Sequence, residues 1–396
     1  MGKRELWQRE RHVLDRATGT RAGGKSSWSW AVRAKKGQGD VEEKTVFGKP
    51  SAPREMYQQY ADVARNALLE SLQEGGKFDV LEAALQIAAE DDAIKTQSVV
   101  QLPVQFYVRR RDRMADEFAK FYVPTDRTPE TTLKALEAYM FETMKYKLAV
   151  NELEVFSSYR TYTHHVLAQK CGNGVGLAVV LGGMVRKLQE QGVIDFDVSY
   201  VVPGHAETPM LVLGAENDLL ESEFTSVSSC FNRPVSDRVL VYMLLDSLKK
   251  FFWPWDWPSN CESGFLPAAE AAVSNSRVGT AAAGTGIIQA SGRPFGDLER
   301  ALLATERLVD CGVSSMQLKD KGVLLYHLKR YEESYHAFQE YVGKHSLDRS
   351  MAPPEQSVFD FGVSEGGERE AALLRDMLAR LPLLITECHW SEPSDP

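Results

Sequence analysis

Apolar positions recur at three- and four-residue steps along most of this chain. From Pro53 onward, Tyr57, Tyr60, Ala61, Ala64, Ala67, Leu68 and Ser71 keep that spacing up to Gly75-Gly76, which predicts one helix stopped by a glycine pair. Phe78 to Ile94 repeats it through Val80, Leu81, Ala84, Leu85, Ile87 and Ala88, with Glu90-Asp91-Asp92 read as an acidic turn. The same periodicity predicts helices near 106–121, 128–146, 157–170, 174–191 and 237–252. Two stretches are β-branched or aromatic instead, 196–202 and 210–213. They are joined through Pro203-Gly204-His205 and predict a small antiparallel pair behind the helices.

After residue 250 the pattern changes twice. Phe251 to Trp257 packs five aromatics into seven positions, and Pro254 and Pro258 keep that stretch from forming a regular helix. Trp253, Trp255 and Trp257 alternate, so an extended loop would turn them to one side, as a partner anchor or as a lid folded back on the core. From Pro267 to Gly292 the chain becomes Ala, Gly and Ser, which reads as a flexible linker at a domain boundary. Four more helices are predicted near 297–310, 314–328, 331–344 and 368–388. The expected organisation is a tail over 1–52, a first domain over 53–258, a linker over 259–292 and an all-helical domain over 293–390. The fold class is mostly α with a small β element.

Charge separates the start from the body. Residues 1–36 hold ten basic side chains against three acidic ones, while the whole chain of 396 residues carries a formal charge of −9. With Trp7, Trp28 and Trp30 among Ser and Gly, the head reads as a plastid or mitochondrial transit peptide, its remnant, or a disordered basic tail. The acidic body argues against nucleic acid as a partner, so Arg109-Arg110-Arg111-Asp112-Arg113 reads as a solvated face or a set of ion pairs. No apolar run approaches the roughly 18–20 residues of a membrane span, so no transmembrane segment is expected. The five cysteines, Cys171, Cys230, Cys261, Cys311 and Cys388, are odd in number and contain no CxxC pair. They suggest neither a disulfide framework nor a zinc site, and a reducing compartment fits them. No cofactor or metal is implied. His164 and His165 are neighbours on a predicted helix, about 100° apart, so one is expected to be packed and the other exposed.

Three stretches together resemble the SirB-one family of bacteria and plant plastids. Phe78 to Asp92 is similar to that family's early helix, with its Leu- and Ala-rich run ending in acids. Tyr162 to Gly192 is similar to the family's core, a helix closed by a basic residue and glycine and followed by the central helix. Arg293 to Val342 is similar to its tetratricopeptide-like tail, with Gly322, Tyr331-Glu332-Glu333 and Phe338 at the spacing of a helix pair. The resemblance implies a transglutaminase-like helical domain followed by an all-α tetratricopeptide-like tail.

It also implies where chemistry would sit. The transglutaminase-like fold seats a cysteine at the start of its central helix, where free N–H groups and the helix dipole favour a thiolate, with a His and an Asp beside it. Here that helix start reads Asn173-Gly174-Val175-Gly176, and the nearest thiol is Cys171. The family's Pro-Gly-His corresponds to Pro203-Gly204-His205, and Asp218 is the candidate acid among Glu216, Asp218, Glu221 and Glu223. The leading expectation is a non-catalytic protein-binding or scaffold protein of a chloroplast, with mitochondrion or cytoplasm as alternative compartments. Its expected partner-binding residues are Trp253, Trp255, Trp257, Tyr326, Tyr331 and Phe338. The alternatives are a hydrolase using Cys171, His205 and Asp218, and a structural subunit of a large plastid complex.

Overall fold

The computed structural model describes residues 54–73, 78–98, 100–149, 158–204, 207–214, 227–257, 263–275, 296–351 and 365–391. All of them lie in one compact unit spanning residues 50–396. The expected tail, His205 and the 216–223 stretch with Asp218 lie outside the described residues.

Helix α1 (Arg54–Gln73) packs along α2 (Val80–Thr96). Asp79 starts α2 by accepting the N–H groups of Leu81 and Glu82, and Gln97 stops it with a φ of +46°. The expected acidic turn is therefore interior to α2: Glu90 and Asp91 lie inside the helix and are buried. Helix α3 (Val104–Phe121) buries Val104, Arg111, Met114, Ala115 and Phe118, a stripe at helical spacing. Helix α4 (Pro129–Ala138) starts on the Thr128 side chain and runs into a π turn over Tyr139–Thr143.

Strand β1 (Lys147–Leu148) pairs in parallel with β2 (Cys171–Gly172), which follows the short helices α5 (Ser158–Thr161) and α6 (Thr163–Gln169). Helix α7 (Gly174–Glu190) comes next and is buried along nearly its whole length, packed by α2, α3, α6 and, later in the chain, by residues 237–252. Small residues make this crowding possible. A Cβ placed on Gly183 would lie 2.5 Å from the Leu81 Cβ, and one on Gly182 2.6 Å from the Val80 Cγ1. Those glycines cost helix propensity of roughly 1 kcal/mol each, which the close packing of α2 against α7 offsets.

Strands β3 (Val198–Val201) and β4 (Met210–Leu213) form the expected antiparallel pair, with Tyr200 opposite Leu211. A third short strand, β5 (Pro234–Val235), follows α8 (Val227–Cys230) and joins β3 on its other side. The outer edge of β4 is closed at Leu211, whose N–H donates to Glu137 of α4 at 2.5 Å.

Helix α9 (Asp237–Phe252), capped by Ser236, carries the core from the first half into the second. The aromatic stretch after it folds inward: Trp253 is fully buried and Trp255 is 3% exposed, while Trp257 is half-buried against them. Where a linker is expected, residues 265–275 form helix α10 (Phe265–Asn275), with Phe265, Ala268, Ala269 and Ala272 in the core. Small side chains here let a helix lie close to the indole, since a Cβ on Gly264 would meet the Trp253 ring at 2.4 Å. The remainder of that stretch, 276–292, lies outside the described residues. Helices α11 (Leu298–Asp310), α12 (Met316–His327), α13 (Tyr331–Met351) and α14 (Glu365–Ser391) complete the chain, α11 against α9, α12 against α13, and α14 against α10 and α13.

Candidate functional site

The start of the buried helix α7 is where the resemblance places a nucleophile, and its local structure is fully determined. Lys170 ends α6 in a left-handed conformation, with φ +54°. The chain then passes through β2, where Gly172 is required because a Cβ would lie 2.9 Å from the Val166 methyls. Asn173 caps α7: its Oδ1 accepts the Gly176 N–H at 2.8 Å, and its Nδ2 donates to Thr161 Oγ1 at 2.9 Å. Its own N–H donates to the Arg160 carbonyl at 2.9 Å. The amide side chain thus fills the helix start, using a free N–H group and dipole that a thiolate would otherwise draw on. Cys171 sits two residues earlier, half-buried in β2, in register with Lys147.

A second polar centre ties α2 to α6 and α11. The Arg307 guanidinium is wholly buried and donates to Glu90 at 2.9 Å and to Asp91 at 2.6 Å. Arg65 donates to the other side of Glu90 at 2.8 Å, and the Tyr162 hydroxyl donates to Asp91 at 2.5 Å. Burial and the neighbouring Asp91 charge push the Tyr162 phenol well above its ordinary range. Beside this cluster lies a cavity of about 50 Å³ lined by Asp91, Asp92, Lys95, Tyr162, His164, His165 and Arg300 among others. The two histidines are not split between core and solvent as expected. Both are half-buried with ring centroids 4.0 Å apart, because His164 turns onto Tyr107 and His165 onto Tyr159. Burial, then the His165 charge, hold the His164 imidazole down at about 3, and burial lowers His165 too. Among the described residues no group of His, Cys, Asp and Glu is arranged to hold a metal ion.

The third centre is on the C-terminal helices. Helices α12 and α13 pack through Gly322, where a Cβ would lie 2.4 Å from the Phe338 ring, and Ser334 Oγ donates to the Gly322 carbonyl at 2.8 Å. Lys249 of α9 reaches α12 in the core and donates to Gln317 at 2.7 Å and Asp320 at 3.1 Å. Burial opposes its charge, but Asp320 and Asp246 outweigh that and keep it protonated. On the other side of α12, the Lys319 ammonium lies over the rings of Phe265 and Tyr341, at 5.4 and 5.5 Å, and pairs with Glu370 of α14. Trp255 stacks on His327 at 4.3 Å, and that imidazole is bonded to the Ala268 carbonyl at 2.9 Å.

No family model, curated protein or solved structure matches the chain.

Of the expected partner-binding residues, Trp253, Trp255 and Phe338 are interior and cannot meet a partner, because each fills a space opened by a glycine or by small helix residues. Trp257 is half-buried against the Lys249 and Lys250 ammonium groups, and Tyr326 and Tyr331 form a half-buried pair at 5.5 Å. Of the possible catalytic set only Cys171 is among the described residues. The residues that sequence reasoning passed over are charged ones: Arg307, Lys249, Lys319 and Asp320. Their signal was weak, since Met316-Gln317-Leu318-Lys319-Asp320-Lys321 has the composition of a solvated turn of helix. No helix among the described residues is long and apolar enough to cross a membrane.

Proposed function

We propose that this chain is a non-catalytic, protein-binding member of the SirB-one family, a transglutaminase-like helical region followed by a tetratricopeptide-like tail. It serves as an accessory or assembly factor, with the chloroplast stroma as its compartment. The observation that carries this reading is Asn173 at the start of α7, hydrogen-bonded on both sides of its amide where the fold's nucleophile would stand. An amide is not a nucleophile, and Cys171 is held in a strand outside the helix start. The tail reading draws support from the Gly322–Phe338 contact between α12 and α13, the tight crossing a tetratricopeptide pair needs. A structural subunit of a large plastid complex is the same docking function in a permanent assembly.

The test is to incubate the tagged full chain with a chloroplast extract, cross-link it and resolve the products by size. A stoichiometric protein partner is expected, retained equally by Cys171→Ser and migrating well above the 44.3 kDa of the chain. Elution as a free monomer, together with hydrolase or acyl-transfer turnover lost in Cys171→Ser, would overturn the proposal.

A further inference from the structure

We infer that the groove between α10, α12 and α13 is a docking site for an amphipathic helix with an acidic residue at its leading end, and that α14 is a resident copy of that ligand. The inference rests on the protein-binding reading and gives it a surface and a partner chemistry.

The groove has one cation and aromatic walls. Lys319 is 1% exposed, lies over Phe265 of α10 and Tyr341 of α13, and is bracketed by Met316, whose sulfur also accepts the Tyr341 hydroxyl at 3.8 Å. A lysine so enclosed needs a carboxylate, and none of the groove's own walls supplies its ion pair; Glu370 of α14 does. The rest of α14 matches the groove by spacing. Leu374, Met377 and Leu381 are its buried residues, at four, seven and eleven positions after Glu370, on a single face. Arg369 pairs with Glu270 of α10 at the groove's rim, and Arg380 and Glu387 of α14 lie close enough to Tyr326 and Tyr331 to act on their phenols. The opposite face of α14 is exposed, including Leu383. The helix therefore engages the chain by one stripe and one charge, as a bound peptide does, whereas α12 is enclosed by α10, α11 and α13. A partner helix with Glu or Asp followed by apolar residues at +4, +7 and +11 satisfies the same contacts and competes with α14.

The experiment uses the full chain and a labelled synthetic peptide of residues 365–391, read by fluorescence anisotropy. A tethered occupant holds its site at a high effective concentration, so the intact chain should bind the peptide weakly. Glu370→Lys with Met377→Asp in the full chain undocks α14 and should tighten peptide binding by at least about tenfold. Adding Lys319→Glu to that variant should remove the gain. Equal peptide binding by the intact and undocked chains, or none by either, overturns the inference. Amide exchange on the unaltered chain tests it without any variant: residues 374–381 should exchange at least about tenfold faster than 318–325. Exchange of both segments at one common rate would show α14 to be a fixed part of the core. If the peptide fails while the intact chain still holds a stoichiometric partner, this groove falls and the protein-binding reading stands.

Discussion

Arg307 and Asp91, 216 positions apart, meet at 2.6 Å with both side chains removed from water. The contact joins α11 to α2 and makes the helices on either side of the aromatic stretch share one interior. Removing one member of a buried pair leaves the other charge uncompensated, so Arg307→Met should lower unfolding free energy by about 3–5 kcal/mol. Chemical denaturation followed by far-UV circular dichroism checks this, and a single lowered transition is expected. Two separate transitions in the unaltered chain would contradict the shared interior.

Gly322→Ala sets a methyl 2.4 Å from the Phe338 ring, closer than carbon atoms tolerate. Overpacking of this kind costs about 1–3 kcal/mol, and Phe338→Leu in the same chain should recover part of it. The double-mutant cycle read by thermal denaturation measures the recovery, and strict additivity of the two losses would refute direct contact.

Asp237 gives a pH dependence with a definite sign. It is buried at the start of α9, receives the Tyr200 hydroxyl and lies near Asp79, and its carboxyl is pushed up from 3.8 to about 7, chiefly by burial. The folded chain therefore holds a proton that the unfolded chain has released. This contribution is fully present below about pH 4 and is lost as pH rises through about 7. Asp237→Asn should flatten that part of the stability profile and leave the variant more stable at pH 8 by a few kcal/mol at most. Denaturant midpoints between pH 4 and 8 supply the comparison, and parallel profiles for the two chains would refute it.

Asn173→Ala removes the α7 cap and leaves Thr161 without its donor. A loss of about 1–2 kcal/mol is expected by thermal denaturation, with Asn173→Asp recovering the capping part alone. No change in either variant would mean the amide does not organise this helix start.

Local rules explain why much of the fold was legible. Helix α9 begins where Ser236 can cap it, and β4 has the predicted bounds because turn residues flank a β-branched run. Helix α2 outran its predicted end because acids in sequence look solvated until Arg65 and Arg307 are brought to them. Helix α10 was hidden because Ala and Gly suit a flexible linker as well as a helix pressed against Trp253, and only the indole decides between them. At the candidate site, Asn173 in place of a cysteine was visible directly. The Lys319–Glu370 pair was not, since it depends on where α14 returns to the chain.

The central claim is that this fold acts by docking, with no nucleophile at the start of α7. Its most direct test is intact-protein mass spectrometry of the full chain after exposure to an activated ester, with Cys171→Ser alongside. The account predicts no burst of acylation and the same adduct pattern in both chains. A rapid single adduct that maps to Cys171 and disappears with His205→Ala would contradict it.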